Sequence, residues 1–362
     1  MIGKPVQYAD DKSRPYKVFG VPRKMLLEHR LMSKPGSVVR DITVNVARAL
    51  DEAAGMSSEG TRVVLTGRPG CGKSVTLLQS VEYCKSQDWI VLYIPRGIEL
   101  VNSSSNHVYD LRTRTYLQPY ASKQLLMRLI TANASALAEL KTTEKHDLTP
   151  LSGGAGGAAK EVAVIEAGEP LVKLAEVGTR DFMRYGAVVL EKVMWELSQQ
   201  EQFPVLLAVD EFQAIYCKTQ YRDPNFAGIS SYHLSVPRML MEFASAKRTF
   251  KRGAILTAIS SSPQYITPLE LEDALALSNR LPPSPYYKRS ATLTSYTEGL
   301  VNLPVPERLS VEEAAGVYGV WNKDKAILPD SLHDENFLAK YSEASGNARD
   351  FVWKGFLSSL QS

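Results

Sequence analysis

The segment 67–74 reads Gly-Arg-Pro-Gly-Cys-Gly-Lys-Ser and fills every fixed position of the phosphate-binding pattern G-x-x-x-x-G-K-[ST]. Glycines at these positions let the backbone curl so that successive N–H groups point at phosphate oxygens. The lysine supplies a positive charge, and the serine supplies a hydroxyl group for Mg²⁺. The predicted nucleotide contacts are Gly67, Arg68, Pro69, Gly70, Cys71, Gly72, Lys73, Ser74 and Val75.

Two carboxylates could act together with this segment in binding a nucleotide. Asp210 and Glu211 directly follow the apolar run 205–209. Proteins with such a phosphate loop place a Mg²⁺-holding carboxylate after an apolar strand, so Asp210 joins the predicted nucleotide contacts, and Ser74 and Asp210 are the predicted Mg²⁺ ligands. Glu211 is a candidate catalytic residue because it could polarise an attacking water. A merely solvated carboxylate is the alternative for Glu211.

Two more residues are candidates for contact with the terminal phosphate. Ser260 follows another apolar run, 253–259, although Ser261 and Ser262 compete for the same role. Arg349 stands at the start of the last predicted helix, from which it could reach back to phosphate. A solvated or RNA-facing arginine is the alternative there.

The surrounding pattern predicts the elements that would position these residues. A β-branched run at 61–66 precedes the glycines, and apolar residues at helical spacing follow them over 75–84. Further strands are predicted at 89–94, 205–209 and 253–259, with helices between them, notably at 182–199 and 236–246. Strands alternating with helices predict an α/β fold of the P-loop NTPase type, a doubly wound parallel sheet with its ligand at the carboxyl ends of the strands.

The sequence divides into three predicted regions. Residues 1–36 are rich in Pro, Lys and Arg and are expected to become ordered only on a partner surface. Residues 37–265 form the predicted nucleotide-binding domain, interrupted by a low-complexity loop at about 143–169. Residues 266–362 are expected to form a small helical lid domain with helices at 310–321, 334–344 and 348–360.

Bulk composition narrows the classes of partner. The 42 basic side chains nearly balance the 39 acidic ones, so any nucleic-acid contact must come from local patches. Candidate patches lie at 14–30, 247–252 and 288–289, and a solvated surface is the alternative for each. Three cysteines are too few and too far apart for a zinc site or a disulfide framework. No apolar run is long enough to predict a membrane span.

The order of these motifs resembles the AAA+ branch of P-loop proteins and, within it, the death-associated protein 3 family. The resemblance covers about residues 38–360 and rests on the phosphate loop, on Gln-Asp-Trp-Ile-Val-Leu-Tyr-Ile-Pro at 87–95, on Leu-Ala-Val-Asp at 207–210, on 252–258, and on Gly-Asn-Ala-Arg at 346–349. The stretch 87–95 separates this family from other P-loop proteins, since phosphate loops alone are shared very widely.

The resemblance implies a protein of the mitochondrial small ribosomal subunit that binds guanine nucleotide, GTP or GDP, with Mg²⁺. It implies contacts with small-subunit rRNA and with neighbouring mitochondrial ribosomal proteins, leaves room for a contact with the large subunit, and places the chain in the mitochondrial matrix. Two departures stand against it: no transit peptide is visible, so a processed chain is expected, and the guanine-reading Asn-Lys-x-Asp motif is missing. ATP therefore stays open.

Three hypotheses for function follow. In the first, the nucleotide is retained and stabilises a structural ribosomal protein. In the second, the chain is an active AAA+ NTPase acting as a motor or switch, with Glu211 as base and Ser260 and Arg349 as sensors, and Arg280 is the weakly placed candidate for an arginine finger. A nucleotide or metabolite kinase is the third, and the missing cluster of lid arginines disfavours it.

Overall fold

A five-stranded parallel sheet organises the computed structural model of this chain. The structure describes residues 1–149, 163–277, 286, 288–325 and 333–357. The described strands are β1 Pro5–Gln7, β2 Gly36–Val38, β3 Arg62–Thr66, β4 Ile90–Ile94, β5 Val108–Asp110, β6 Thr115–Leu117, β7 His146–Leu148, β8 Ala163–Ile165, β9 Val205–Val209, β10 Lys218–Arg222, β11 Gly228–Ser230, β12 Gly253–Ala258 and β13 Val301–Pro304.

The main sheet has the strand order β13-β3-β12-β9-β4, with every neighbouring pair parallel. Strand β12 lies between β3 and β9, so the segments that follow these three strands emerge at one edge of the sheet. Strands β4, β9 and β12 are buried along their whole length. Burial on both faces explains why they appear in the sequence as continuous apolar runs rather than as alternating patterns.

Helices pack around this sheet and connect its strands. The described α-helices are α1 Pro15–Val18, α2 Arg23–Leu31, α3 Asp41–Ala53, α4 Lys73–Ser86, α5 Pro119–Ala132, α6 Ala134–Glu139, α7 Leu171–Arg180, α8 Ala187–Gln199, α9 Ser235–Ala244, α10 Leu269–Ala274, α11 Ala291–Thr297, α12 Val311–Lys323, α13 Asp334–Glu343 and α14 Ala348–Trp353. Short 3₁₀ turns cover Gly97–Leu100, Phe212–Tyr216 and Ser231–His233, and a π-helical segment, Phe182–Gly186, precedes α8. In the described part of the chain no helix is long and apolar enough to span a membrane.

The N-terminal residues fold onto the body of the chain. Strand β1 pairs antiparallel with β2, and the backbone N–H of Tyr16 donates to Glu82 Oε1 on α4 at 2.9 Å. Phe19 is buried with its ring 6.2 Å from that of Tyr93 on β4. These residues are thus ordered on the body of their own chain, because their scattered aromatic side chains bury against the sheet and α4, whereas the sequence predicted order only on a partner surface.

The C-terminal residues form a small helical layer with its own apolar contacts. Ser310 caps α12 through the expected capping box with Glu313, and Trp321, Val352, Trp353 and Leu357 form one buried cluster. The division of the chain at residue 265 stays a prediction. Strand β13 lies beyond that boundary yet pairs with β3 as an edge of the main sheet, and it was not predicted from the sequence.

Candidate nucleotide-binding site

Residues 67–74, called here the glycine loop, connect β3 to α4 in a conformation that requires glycine. Gly70 and Gly72 have φ angles of +84° and +103°, which L side chains rarely adopt. Helix α4 begins at Lys73 without a side-chain cap at Gly72, so its first backbone N–H groups face the loop. The start of α4 therefore offers N–H donors at the positive end of a helix, an arrangement that favours phosphate binding.

Lys73 lies within this loop and binds its backbone. The ammonium Nζ donates to the carbonyl oxygen of Gly67 at 2.6 Å and to that of Arg68 at 2.9 Å. Burial lowers the pKa of Lys73, while the nearby carboxylate of Asp210 opposes that change. A phosphate group entering the loop would give this ammonium a charged acceptor in place of neutral carbonyls.

The other predicted contacts of the loop lie at its rim and its floor. Arg68 is exposed and pairs with Glu307 at 3.4 Å, and the carbonyl group of Pro69 accepts a hydrogen bond from the C-terminal region. The Cys71 side chain is buried with its sulfur 3.8 Å from Lys73 Nζ, and Val75 lies half-buried on the first turn of α4. Their roles as nucleotide contacts stay predictions.

Asp210 follows the last residue of β9 and is almost completely buried. Its Oδ1 accepts the N–H of Glu211 at 2.8 Å, whereas its Oδ2 is buried without a hydrogen bond in the described part of the chain. Burial raises the pKa of Asp210 to about 6, and the Ser74 hydroxyl, the Glu211 N–H and Lys73 oppose this rise. An unsatisfied buried carboxylate oxygen beside a serine hydroxyl fits Mg²⁺, which prefers oxygen ligands.

Asp210→Asn is expected to stabilise the nucleotide-free chain. The carboxyl group ionises less readily in the folded state, so that state holds more protons between pH values of about 4 and 6, and the free energy of unfolding falls as pH rises through this range. Removing the charge should add about 3 kcal/mol at pH 7 and flatten that pH dependence. Thermal melts in chelator would measure both effects.

The same variant should lose any stabilisation by nucleotide with Mg²⁺. Asp147→Asn is the control, since that side chain is 63% exposed and the change should stay within about 0.5 kcal/mol. A nucleotide-free Asp210→Asn chain that melts below the parent would show that Asp210 stabilises the fold, and would contradict a ligand-holding role.

The backbone conformation of Glu211 and a hydrogen bond to its side chain fix the position of this residue. Its φ of +57° is unusual for a residue with a side chain, and its Oε2 accepts the N–H of Ile98 at 3.3 Å. A Cβ atom on Gly97 would lie 2.8 Å from the Glu211 carbonyl oxygen, so this close approach requires glycine. Burial and the adjacent Asp210 raise the pKa of Glu211 to about 7. Its catalytic role stays a prediction.

Ser260 is held by a residue that sequence reasoning missed. Gln213 is fully buried in the turn after β9; its Oε1 accepts the backbone N–H of Ser260 at 2.9 Å, and its Nε2 donates to Ser260 Oγ at 3.0 Å. This clamp joins the segments that follow β9 and β12. The Ser260 hydroxyl oxygen accepts in this clamp and keeps its own O–H for donation, so its role in phosphate sensing stays a prediction.

The C-terminal region binds directly to the glycine loop. Asn347 caps α14 and donates from Nδ2 to the Pro69 carbonyl oxygen at 2.9 Å, and the backbone N–H of Arg349 donates to the Gly70 carbonyl oxygen at 3.0 Å. The structure thus brings Arg349 to the loop through its backbone, and its side-chain contact with phosphate stays a prediction.

Gly70→Ala should detach this region. The new Cβ would lie 2.4 Å from Asn347 Oδ1 and 3.0 Å from Arg349 Cβ. Gly20→Ala is the matched control, because Gly20 has a similar φ of +81° and a Cβ atom there would meet nothing within 4 Å. The control should lose about 1 kcal/mol from backbone strain alone. Gly70→Ala should lose about 1 kcal/mol more and make 306–357 more sensitive to protease. Equal losses in both variants would show that the docking contact contributes nothing.

Arg40 binds the backbone of the glycine loop, a role that no sequence pattern predicted. Its guanidinium donates from Nε to Glu313 Oε2 at 3.1 Å, from Nη1 to the Cys71 carbonyl oxygen, and from Nη2 to the carbonyl oxygens of Pro306 and Arg308 at 3.3 Å. Both side chains of the Arg40–Glu313 pair are only 6% exposed. One buried cation therefore ties the start of α3, the glycine loop and the cap of α12 together.

The basic segment 247–252 is bound within the chain. Arg248 pairs with Glu191 and Glu242, Lys251 pairs with Glu201, and Arg252 donates to the carbonyl oxygens of Ala54, Glu201 and Gln202. Arg289 pairs with Asp273. Arg280, Tyr287 and the glycine-rich stretch 152–159 lie outside the described residues.

Comparison with known proteins adds an independent result. The family model described as mitochondrial ribosomal death-associated protein 3 matches residues 37–353. Small ribosomal subunit protein mS29 of Schizosaccharomyces pombe is 25% identical over 338 residues, which cover 92% of this chain and 67% of that protein. The protein of the same name from Neurospora crassa is 23% identical over 88% of this chain and 66% of its own length, and that from Bos taurus is 24% identical over 69% and 60%.

The chain thus spans about two thirds of the length of these fungal relatives. The family match runs from within β2 to the end of α14, so it includes the glycine loop, the acidic pair after β9 and the C-terminal region that docks on the loop. This chain belongs to the mitochondrial ribosomal death-associated protein 3 family.

Proposed function

We propose that this chain is a structural component of the mitochondrial small ribosomal subunit that holds a purine nucleotide with Mg²⁺ in its glycine loop. Its relatives in fungi and cattle carry the name of a small ribosomal subunit protein, and the family is described as mitochondrial and ribosomal. The proposed location is therefore the matrix, on the ribosome, with small-subunit rRNA and ribosomal proteins as neighbours. Guanine is the favoured base on the family resemblance.

The observation that carries the nucleotide proposal is the meeting of the glycine loop and Asp210. Because β12 separates β3 from β9, the loop and the carboxylate follow strands that are not adjacent, yet Ser74 and Lys73 both act on the pKa of Asp210. Strand β12, which Ser260 follows, lies between those two strands, and this arrangement is the one expected of a P-loop NTPase of the AAA+ kind. Among the described residues the buried Asp210 Oδ2 finds no hydrogen-bond partner, so it is open to a metal ion.

Different residues of the chain would bind different parts of the nucleotide and its Mg²⁺. Backbone N–H groups of the glycine loop and the start of α4 would bind the phosphates, and Lys73 would move its hydrogen bonds from loop carbonyls to phosphate oxygens. Ser74 and Asp210 would hold Mg²⁺, which neutralises charge on the phosphate oxygens when bound. Asn347 and the Arg349 backbone would hold the loop in the conformation that binds.

Two features favour retention of the nucleotide over turnover. Glu211 Oε2 accepts the Ile98 N–H, which holds the carboxylate that a general base would need. The C-terminal region packs on the carbonyl groups of Pro69 and Gly70, so opening the loop requires breaking those hydrogen bonds. A retained ligand stabilises the native state in proportion to the logarithm of its concentration over Kd.

An active NTPase is the second candidate, and one observation favours it. Burial raises the pKa of Glu211 to about 7, close to the value at which a general base works best near neutral pH. Hydrolysis would require the Glu211 carboxylate to leave Ile98 and approach the phosphate. Steady turnover at about 1 s⁻¹ or faster by the free chain would favour it over the structural role.

Cosedimentation tests the ribosomal part of the proposal. The tagged chain, expressed in mitochondria, should migrate with the small subunit on a sucrose gradient and should be depleted from the free fraction. A chain that stays in free or ring-shaped oligomers while the small subunits are intact would contradict it.

A further inference from the structure

The net positive charge of this chain comes from two segments at one edge of the sheet. Residues 96–128 and 218–230 carry seven Lys and Arg side chains against three Asp and Glu, whereas the whole chain carries 42 against 39, so the rest of the chain has one more acidic side chain than basic. Both segments lie at the carboxyl edge of the sheet, after β4 and after β9. The bulk composition hides this asymmetry.

A cleft of about 230 Å³ lies at the end of β4 on this surface. Arg96, Ser104, Ser105, Tyr120 and Arg128 are among the residues that line it. Arg96 forms an ion pair with Glu99 at 2.7 Å. The same Glu99 carboxylate also acts electrostatically on Arg128. Within the described part of the chain, Arg128 makes no direct hydrogen bond or ion pair, and the Glu99 carboxylate that lines the same cleft acts on it from a longer distance. Arg96 and Arg128 thus bring two guanidinium groups to a cleft lined by one carboxylate, and the excess positive charge favours an anionic ligand.

Two hairpins extend the basic surface beside this cleft. Ser105 Oγ lies 3.0 Å from the hydroxyl oxygen of Tyr221 on β10, and His107 Nε2 lies 3.1 Å from the Arg222 carbonyl oxygen, so the wall of the cleft is joined to the β10–β11 hairpin. The His107 ring also packs on Tyr116 of the β5–β6 hairpin at 5.4 Å. The cleft and the hairpins therefore form one continuous surface.

The exposed side chains of these hairpins combine charge with aromatic rings. Lys218 and Arg222 lie on the outer face of β10, where buried and exposed residues alternate, and Arg114 is exposed in the turn after β5. Phe226 at the tip of the β10–β11 hairpin is 84% exposed, and Tyr109 on β5 is 46% exposed. Cations that track a backbone, with aromatic faces on which bases can stack, are the features of single-stranded nucleic-acid binding.

We infer that the Arg128 cleft and the β5–β6 and β10–β11 hairpins bind the phosphate backbone of a single-stranded RNA segment. An acidic protein would be attracted by the same charges, and binding of polyglutamate is the outcome that would favour it; the exposed rings of Phe226 and Tyr109 beside the cations favour RNA, whose bases stack on aromatic faces. This inference rests on the proposed ribosomal function, since it names the surface through which the chain meets RNA. The surface is separate from the glycine loop, which follows β3 and not the β4 edge of the sheet.

Fluorescence anisotropy with the full chain and a labelled uridine oligomer of about 12 nucleotides tests the inference. Arg128→Gln with Arg222→Gln should weaken binding at least tenfold at about 100 mM salt and should reduce the slope of log Kd against log salt by about 1.4. Phe226→Ala should weaken binding about fivefold or more without changing that slope. Arg128→Lys with Arg222→Lys should retain most of the affinity, which guards against a folding defect.

Lys247→Gln with Lys251→Gln is the control, because it removes the same charge at the opposite, amino end of β12. Equal RNA affinity in this control and in the Arg128 and Arg222 glutamine variant would overturn the inference. Binding of polyglutamate in place of RNA by the parent chain would also overturn it. If the chain enters the small subunit but these variants leave its RNA affinity unchanged, the inference alone is refuted. If the chain binds RNA at this surface but never enters the small subunit, the proposed function alone is refuted.

Discussion

Lys73→Ala is expected to empty the glycine loop. The ammonium group lies in the loop, bound to the carbonyl oxygens of Gly67 and Arg68, in the place where phosphate oxygens would enter. Removing a buried charge from such a contact costs about 3 kcal/mol of binding free energy, or at least a hundredfold in Kd. A nucleotide held at about 100 times its Kd contributes about 2.7 kcal/mol to stability, so the purified variant should melt about 4 °C lower.

Lys85→Ala is the matched control for this variant. Lys85 lies in the last turn of the same helix, and burial lowers its pKa as it lowers that of Lys73. The control should keep its nucleotide and its melting temperature within about 1 °C. A Lys73→Ala chain that retains nucleotide, or that loses it and still melts with the parent, would refute a stabilising ligand in this loop.

Arg40→Met should have the largest effect on folding. It leaves the buried carboxylate of Glu313 without its cation and the carbonyl group of Cys71 without its donor. Breaking a buried ion pair by removing one partner costs about 3–5 kcal/mol, which is a large part of the stability of an ordinary domain. Chemical denaturation would measure this loss, and titration with nucleotide should show weaker binding because the glycine loop loses its support.

The double variant Arg40→Met with Glu313→Met separates charge from packing. A well-packed apolar pair should recover much of the lost stability, because neither buried charge is then left alone. Lys354→Met, which breaks the exposed ion pair with Asp350 on α14, should change stability by about 0.5 kcal/mol or less. If Arg40→Met behaves like this exposed control, the buried pair does not join the N-terminal and C-terminal regions.

The central sheet was predictable because burial leaves a strong mark on the sequence. Strands β4, β9 and β12 are covered on both faces and appear as apolar runs, and their observed bounds lie within a residue of the predicted ones. Strand β13 is short, half-exposed and ends in proline, so its four residues carry neither an apolar run nor clear alternation. Only its pairing with β3 identifies it as part of the sheet.

The hairpins and the N-terminal region were missed for a related reason. Strands β5, β6, β10 and β11 have three to five residues each, too few for a period to emerge. The N-terminal residues lack periodicity because they lie along the body of the chain, burying Tyr8, Tyr16 and Phe19 at irregular intervals. Their partners on α4 and β4 are about 70 residues away in sequence.

The candidate site was predictable where local spacing defines chemistry. The glycine loop and the acidic pair after β9 are recognisable within a few residues, and the structure brings Ser74, Lys73 and Asp210 together. Arg40 gave no such signal, since Glu313 lies 273 residues further along the chain. Gln213 gave none either, because an amide after a strand is common; the contact with Ser260 exists only because β9 and β12 are neighbours.

Release and identification of the bound nucleotide tests the central claim most directly. The chain, purified in Mg²⁺ without added nucleotide, is denatured and the released molecule is separated by ion-exchange chromatography against GTP, GDP, ATP and ADP standards. We expect close to one guanine nucleotide per chain from the parent and none from Lys73→Ala. An empty parent chain that is folded and enters the small subunit would contradict a nucleotide held as part of the structure.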